Sequence, residues 1–438
     1  MPNKKHNNKY TWSLYLICCL FGTQVSAKII PWKEQIPSSL SVFQGKVQPL
    51  AELTANRIFI YAHPAQSISL PTLKNQQSMV GKFYTGAVIV PTNSQNVARL
   101  LTNYSGYNGL FPTLKSAKIV EQQGTITQMK YQVHIPTPIP ILNFKESVLM
   151  QHHISANSIS TLVVDAPIPY GAGKMEWFDV GNNKTLITIT QWGDLNHPKG
   201  FLFSTILKAI PEAKLGIPSG TNAFLLEALQ QRFRTATPQI LKTAELPQVQ
   251  LNSSQRQSIA NISQQSREPV TFILPSTQMP YPHGWETLRF SSSYQYFAQS
   301  PQQLQHWLNA PAFQELFPRQ IKDIDMQKID ANTFDADYKI SVGLGVINIP
   351  FDFKLRFDYP NRLENEFHAV GGDLQFVQGG MQLIPQANGT LFNVTSAMKI
   401  HDQAPFLLRA MRSMPYHEML PAVGGNTVLA LKIKQRMK

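Results

Sequence analysis

The sequence predicts an α+β protein of two tandem domains, each with an antiparallel sheet followed by a long helix. The first observation behind this prediction is that short motifs recur in the same order in both halves of the chain. The matched pairs are Leu110-Phe111-Pro112 with Leu316-Phe317-Pro318, Tyr131 with Tyr338, Ile139-Pro140 with Ile349-Pro350, Phe144-Lys145 with Phe353-Lys354, Met175 with Met381, Thr185-Leu186 with Thr390-Leu391, and Gln231-Arg232 with Gln435-Arg436. A repeat this long exceeds the period of a solenoid unit and indicates whole domains.

The second observation is the order of elements inside each repeat. Gly86 to Val90 predicts a strand, and Asn93 precedes an apolar-periodic stretch, which is a helix-start signal. A helical stretch ends the repeat at 201–233, with a break expected near Pro218. Between them, alternation and turn signals predict strands at 115–122, 126–135, 141–152, 158–165, 173–180 and 184–192. This order indicates an α+β domain. In the second repeat Val428 to Ile433 alternates like a strand, and we assign it to the terminal helix by analogy with the first.

The third observation is a change of composition between the repeats. Residues 28–80 form a lead-in, 81–234 the first domain, and 285–438 the second domain. The segment 235–284 is rich in Gln, Ser and Pro, which is typical of a semi-extended, partly disordered linker. One strand, Val270 to Leu274, is expected within it.

Residues 1–27 have the pattern of a secretory signal peptide. A basic start with Lys4 and Lys9 precedes an apolar core, and small residues end at Ala27, where we expect cleavage. A retained amphipathic anchor is the alternative. Cys18 and Cys19 are the two cysteines, so the cleaved protein would contain no thiol, which excludes disulfides and cysteine nucleophiles. We therefore expect a periplasmic or secreted protein.

The chain is basic, with a formal net charge of +13. No dense Lys/Arg run and no nucleic-acid motif occurs, so a nucleic-acid partner is not expected. Attraction to anionic lipid headgroups or cell-wall polymers would explain the charge, and so would a general contribution to solubility.

The helical segment, the Tyr-rich turn and Leu110-Phe111-Pro112 leading into a strand resemble the START-like superfamily, also called SRPBCC or polyketide cyclase-like. The resemblance covers both repeats. It implies two helix-grip domains, in which the sheet wraps around the C-terminal helix and leaves a deep apolar cavity. Members of this superfamily bind lipids, sterols, polyketides or other hydrophobic ligands, and a minority are enzymes. The superfamily has no universal catalytic residues to carry over to this chain.

Strand alternation predicts which side chains face such a cavity. The apolar face of each strand is taken as the inward one, and the register is transferred between the repeats. The predicted ligand-binding residues are Tyr131, Val133, Phe144, Glu146, Val148, Met150, Met175, Ile187 and Ile189 in the first repeat, and Tyr338, Ile340, Leu355, Phe357 and Met381 in the second. Larger side chains in the second repeat predict that the larger cavity lies in the first.

Glu146 is the unusual member of this set, because the second repeat has Leu355 at that place. A carboxylate among apolar neighbours is costly unless it is paired, hydrogen-bonded or protonated. Glu146 is thus a candidate ligand anchor or general acid/base, or else a neighbour satisfies it or it faces water. His152 and His153 are adjacent strand residues that cannot chelate one metal together, and no metal spacing or cofactor motif occurs.

Two further features bear on function. The connections at 135–142 and 342–350 are unusually apolar for turns. They are expected to cover a cavity mouth, dock on a membrane, pack one domain on the other, or be buried against the lead-in segment. A carrier of a hydrophobic small molecule or lipid is the leading hypothesis, because no convergent polar cluster is evident. The alternatives are a cyclase/aromatase-type enzyme using Glu146 or Tyr131, and an interaction module whose cavities are filled.

Overall fold

The structure is a computed structural model that describes residues 28–73, 78–135, 144–199, 201–234, 237–281, 284–344 and 347–438. The first half of the chain forms the following elements in order: α1 (Val47–Thr54), β1 (Ile58–Ala62), β2 (Gln66–Ile68), β3 (Met79–Gly81), β4 (Tyr84–Val90), α2 (Ser94–Thr102), α3 (Tyr107–Leu110), β5 (Leu114–Gln123), β6 (Ile126–Ile135), β7 (Phe144–Ile154), β8 (Ser158–Asp165), β9 (Gly171–Asp179), β10 (Thr185–Gly193), α4 (Phe201–Ala209) and α5 (Ala213–Phe233).

The second half begins with a very short strand and repeats the pattern. Its elements are β11 (Gln239–Ile240), α6 (Ser253–Ser266), β12 (Val270–Tyr281), β13 (Gly284–Phe297), α7 (Pro301–Leu304), α8 (Ala312–Leu316), β14 (Ile321–Lys328), β15 (Thr333–Leu344), β16 (Ile347–Asn361), β17 (Glu364–Gly372), β18 (Phe376–Gln386), β19 (Gly389–Lys399), α9 (Phe406–Ala410) and α10 (Leu420–Arg436).

One continuous sheet runs through both halves, antiparallel except where the short strand β11 pairs in parallel with β12. In the first half the strands lie in the order β4-β10-β9-β8-β7-β6-β5, and in the second half in the order β13-β19-β18-β17-β16-β15-β14. We call these strands, with the helices that follow β4 and β13, the first and the second unit. The identical order confirms the predicted duplication and the predicted α+β class.

The two units join at β1 and β12. β1 pairs with β4 and with β12, and β12 pairs with β13, all antiparallel. On one face of this junction α1 and α6 cover a core that includes Phe59, Tyr61 and Phe272. On the other face lie α5 and α10. The centre of the molecule is therefore a three-layer stack of helices, sheet and helices.

A buried asparagine fastens each terminal helix to its sheet. Asn222 on α5 donates through Nδ2 to the carbonyl oxygen of Tyr84 at the start of β4, over 3.3 Å. Asn426 on α10 donates to the carbonyl oxygen of Ser291 on β13, over 3.0 Å. Both asparagines are nearly fully buried. Because a buried amide must be hydrogen-bonded, these bonds fix where each helix crosses the sheet.

The helices α5 and α10 pack against each other and connect the units. The Cβ position of Gly216 lies 3.3 Å from the Cα of Gly424, so the two backbones come close together. Met419, just before the second unit's terminal helix, and Val423, in the first turn of that helix, belong to the hydrophobic core of the first unit. Glu227 on α5 forms a buried ion pair with Arg289 on β13, with 2.6 Å between Oε2 and Nη2. The core of the first unit is therefore completed by the second.

Two predictions about chain organisation were wrong. The segment expected to be a partly disordered linker contains the helix α6, which Asn252 and Gln255 begin with a capping box and which buries Ile259 and Ile262 on the sheet. The terminal helical stretch breaks before Pro211 rather than near Pro218, which lies inside α5. The α conformation is disfavoured for a residue that precedes proline, so α4 ends at Ala209, before Ile210 and Pro211.

Other predictions were confirmed or lie outside the described residues. The strands β6 and β8 coincide with their predicted bounds, and the stretch from Val428 to Ile433 is helical. The proposed signal peptide and the apolar connection of the first unit fall outside the described residues, as do residues 345–346 of the second connection. No helix in the described ranges is long and apolar enough to cross a bilayer.

Candidate functional site

The inward face of the first unit lies where alternation placed it. Tyr131, Val148, Ile187 and Ile189 are buried, at 3%, 5%, 0% and 3% exposure. Val133, Met150 and Met175 share this face but are only half-buried. Phe144 begins β7, and its side chain lies outside the described residues. The predicted face therefore exists, and its members differ in how completely the protein covers them.

Glu146 lies on this inward face, directly opposite Val133 on β6. It is half-buried and lies two residues before Val148, which packs with Val163 and Ala166. No residue in the described ranges forms a hydrogen bond or an ion pair with its carboxylate. The inward placement agrees with the prediction, and its role as an anchor remains a prediction.

A buried polar cluster forms the inner part of this face, and sequence reasoning missed it. His152 lies on β7. Its Nε2 atom is 2.8 Å from the Tyr131 hydroxyl oxygen, and its Nδ1 atom is 2.9 Å from Thr161 Oγ1. The ring of Tyr104 stacks on His152 with centroids 4.4 Å apart. Tyr107 donates to the carbonyl oxygen of Leu101 over 2.6 Å. The alternation that places Met150 inward also places His152 inward, so the sequence did contain this signal.

The Tyr104 hydroxyl differs from its neighbours because no described residue hydrogen-bonds to it, although the side chain is 5% exposed. An unpaired buried hydroxyl is costly, and it usually bonds to water or to a ligand. Tyr104 lies between α2 and α3, and its ring stacks on that of His152. Its hydroxyl is a buried hydrogen-bond donor without a partner among the described residues.

Burial keeps the groups of this cluster uncharged. It lowers the pKa of His152 to about 3 and raises the pKa values of Tyr104, Tyr107 and Tyr131. A neutral imidazole of low basicity is a poor proton acceptor at neutral pH, and a tyrosine with a raised pKa stays protonated. The cluster can therefore hold a polar ligand group by hydrogen bonds, but it is not poised for general acid/base catalysis.

The matching face of the second unit is packed more completely. Tyr338, Ile340, Leu355, Phe357 and Met381 are 2%, 9%, 6%, 0% and 1% exposed. Tyr338 stacks on Phe353 at 5.1 Å, and its hydroxyl donates to a backbone carbonyl, that of Ala310, over 3.3 Å. Aromatic side chains pack against one another on this face.

Two cavities in the described residues are measured. Both lie against the second unit, and Met381 is the one predicted ligand-binding residue that lines either of them. One of about 160 Å³ lies between residues 246–251 and the strands β17 to β19. The other, about 290 Å³, is open at the surface beside Asn309, Tyr359 and Arg362. The expectation that the larger cavity lies in the first unit is therefore not confirmed. No group of three His, Cys, Asp or Glu side chains within the described ranges could hold a metal ion.

No family model matches this chain, and no curated protein matches it. Several solved structures are similar to it. The di-domain ARO/CYC StfQ from the steffimycin biosynthetic pathway has 10% identity over 81% of this chain and 99% of that chain, with a TM-score of 0.25. A START superfamily protein from Mycobacterium smegmatis has 14% identity over 35% of this chain and 97% of that chain, with a TM-score of 0.28. A STAR-related lipid transfer protein fragment from Xanthomonas axonopodis has 10% identity over 39% of this chain and 99% of that chain, with a TM-score of 0.24.

Identities and TM-scores this low give no ground for transferring an activity to this chain. The architecture is established by its own strand order and helix placement. The chain consists of two copies of one unit, an antiparallel sheet packed on its C-terminal helix, and the solved structures to which it is similar include START superfamily and di-domain ARO/CYC proteins.

Proposed function

We propose that this chain is an exported cell-envelope protein that binds or carries a hydrophobic, lipid-like ligand on the inward face of the first unit, without catalysis. The observation that supports this is the difference in burial between matched positions. Met175 is half-buried, whereas Met381 is 1% exposed, and half-buried Glu146 corresponds to Leu355 at 6%. The same fold closes over this face in one unit and leaves it partly uncovered in the other.

A ligand would gain energy from the apolar part of that face. Val133, Met150 and Met175 offer partly exposed apolar surface, and its burial yields roughly 25 cal/mol per Å². Methionine side chains adapt to irregular shapes, which suits a flexible acyl or polycyclic ligand. Tyr104 supplies a hydrogen-bond donor at the inner end, and Glu146 a carboxylate farther along β7. The expected ligand is therefore apolar over most of its surface and carries at least one polar group.

A cyclase/aromatase-type enzyme is the second candidate, and the hydrogen-bonded pair of Tyr131 and His152 is the observation that favours it. The depressed pKa of His152 weighs against this alternative, because burial leaves the imidazole a weak base. Turnover of a polyketide-like ketone by the purified protein, lost in Tyr131→Phe, would establish the enzyme and displace the carrier proposal.

Export rests on the pattern of residues 1–27. Its test is fractionation of cells that express the full chain, with N-terminal sequencing of the product. A periplasmic or extracellular protein that begins at Lys28 is expected. A full-length protein confined to the cytosol would contradict export and would leave the ligand proposal standing.

The ligand proposal is tested by native mass spectrometry of the exported protein, followed by organic extraction. We expect one bound apolar molecule per chain. Val133→Trp should fill the first unit's face and abolish the extra mass, whereas the same substitution at half-buried Val342 in the second unit should retain it. An equal loss in both variants, or a ligand-free wild type under gentle conditions, would contradict the proposed site.

Glu146→Gln tests the carboxylate separately, since it removes the charge and keeps the shape. If Glu146 contacts the polar group of the ligand, the extracted molecules should change in identity or amount. An unchanged ligand profile would show that Glu146 has no role in binding, while the apolar site would be unaffected.

A further inference from the structure

A cavity of about 160 Å³ lies on the outer face of the second unit, between the sheet and the segment that leads into α6. Gln382 on β18 lines the cavity and lies between Met381 and Leu383, whose side chains belong to the core on the inward face. Strand alternation therefore places Gln382 and the cavity on the opposite side of the sheet. The volume suits a molecule smaller than a drug-sized ligand, whose pockets span about 300–1,000 Å³.

The segment that covers this cavity is fixed to the sheet on both sides of it. Gln378 on β18 donates to the carbonyl oxygen of Ala244 over 2.6 Å. Leu246 packs directly on Gly380, where a Cβ atom would lie 2.8 Å from the Leu246 Cδ1 atom. Val249, farther along the segment, is buried in the core that α6 covers. The cavity is therefore a space that the fold encloses beneath an anchored segment.

Charged side chains of opposite sign line the two ends of the cavity. Glu364 and Glu366 lie on β17 at one end, and Arg256 on α6 lies at the other end together with Tyr294 on β13. In the strand order β13-β19-β18-β17, three interstrand spacings separate these ends, which is roughly 14 Å. None of the three charged side chains forms an ion pair with a residue in the described ranges. The protein thus leaves both charges without a partner.

The glutamate end of the cavity has a negative electrostatic potential. Glu364 accepts a hydrogen bond from the neutral amide of Gln382 over 3.2 Å. Partial burial raises the pKa of Glu366, and so do the nearby carboxylates of Glu364, Asp358 and Glu245. Repulsion among carboxylates is relieved when a cation lies between them. Because the side chain of Glu366 is solvent-exposed, a small cationic group can reach this end of the cavity.

The first unit shows what lies on the equivalent surface when the chain itself supplies the cation. The position just before the matched methionine is Lys174 in the first unit and Gly380 in the second. Lys174 Nζ lies 2.8 Å from Glu34 Oε1, in the segment that covers the first unit, and 4.0 Å from Glu176 Oε1. An alkylammonium group therefore neutralises the carboxylates of this surface in the first unit. The second unit has the carboxylates and the covering segment, but no lysine at this place.

We propose that the cavity binds a small zwitterion, with its ammonium group at Glu364 and Glu366 and its carboxylate at Arg256. A simple cation would leave Arg256 unpaired, and a simple anion would leave the two glutamates unpaired. The separation of the two ends favours a ligand whose charges are several carbons apart over an α-amino acid. The inference does not depend on the ligand proposed for the first unit, because the two sites lie in different units and on opposite faces of the sheet.

The test is isothermal titration calorimetry of the purified full chain with ε-aminocaproate. The compounds n-hexylamine and hexanoate keep the carbon chain and lack one charge each, so each should bind about tenfold more weakly than ε-aminocaproate. Glycine, whose charges are close together, should also bind more weakly. Equal affinities for n-hexylamine and ε-aminocaproate would overturn the proposal in favour of a cation site. The absence of ε-aminocaproate binding at millimolar concentration would overturn the site altogether.

Two variants locate the binding. Glu366→Gln and Arg256→Gln should each lower the affinity for ε-aminocaproate about tenfold, and Arg256→Gln should leave the affinity for n-hexylamine unchanged, which a general loss of structure would not do. The matched control is Glu121→Gln, which removes a carboxylate from a half-buried position on β5 and should leave all affinities unchanged. Equal losses in Glu121→Gln and Glu366→Gln would overturn the proposal in favour of a general charge effect. Val133→Trp should retain ε-aminocaproate binding, so the two ligand sites are tested separately.

Discussion

Arg289→Met should destabilise this protein strongly, because it leaves a carboxylate buried without its cation. Arg289 is 6% exposed, and its Nη2 lies 2.6 Å from Glu227 Oε2 and 3.1 Å from Gln230 Oε1. Burial lowers the pKa of Arg289, and the charge of Glu227 opposes that effect. The pair joins α5 of the first unit to β13 of the second. Its loss therefore weakens the contact between the units as well as the local packing.

The magnitude has an upper bound. Breaking a buried pair by removing one partner costs about 3–5 kcal/mol. Gln231 still donates to the Glu227 carboxylate, over 3.3 Å, which reduces the loss. We expect about 3 kcal/mol at pH 7, at the lower end of that range.

Urea unfolding monitored by fluorescence measures this loss of unfolding free energy. The matched control is Lys399→Met, since Lys399 Nζ lies 2.8 Å from Glu286 Oε2 and the two side chains are 32% and 27% exposed. A pair that reaches solvent at both ends contributes no more than about 1 kcal/mol. Glu227→Leu combined with Arg289→Met should lie within about 1 kcal/mol of the wild type, because no unpaired charge remains.

The comparison of the two single variants decides the reasoning. An Arg289→Met loss no larger than that of Lys399→Met would refute it.

Two further predictions concern the buried polar groups. Tyr131→Phe should lower the free energy of unfolding in urea by about 1–3 kcal/mol, because His152 Nε2 loses its hydrogen-bond partner. Tyr104→Phe should be neutral or stabilising, because the Tyr104 hydroxyl has no partner to lose. A larger loss in Tyr104→Phe than in Tyr131→Phe would contradict the cluster as described. Burial lowers the pKa of His63 to about 4 and of His152 to about 3, so the unfolded chain binds more protons below an ordinary histidine pKa near 6.5. Stability should therefore fall by about 1 kcal/mol per histidine between pH 7 and 5.5 and stay level above pH 7, and a urea midpoint that did not change over the acidic interval would contradict this.

The sequence could predict the parts of the fold that short-range patterns determine. The strands β6 and β8 follow from alternation bounded by turns. The comparison with the first repeat correctly predicted a helix at Val428 to Ile433, although the residues there alternate as in a strand. The helix α6 was missed because its composition is polar, although Asn252 and Gln255 carry a start signal. Its stability comes from burying Ile259 and Ile262 against a sheet, which no local pattern contains.

The candidate site was predictable to the same extent. Which side chains face inward follows from a two-residue period, so the facing of Glu146, Met150 and Met175 could be predicted. The contact of Tyr104 with His152 could not, because it depends on how the segment between α2 and α3 folds over β7. The pairing of β1 with β12 was likewise invisible, since it joins residues far apart in the chain.

The sharing of a core between the units has a consequence for how the protein is made. Met419 and Val423 complete the hydrophobic core of the first unit, yet they are synthesised long after its strands and its helix α5. The first unit therefore cannot complete its core until the start of α10 has been made. A truncation before α10 would accordingly harm the unit farthest from it in sequence.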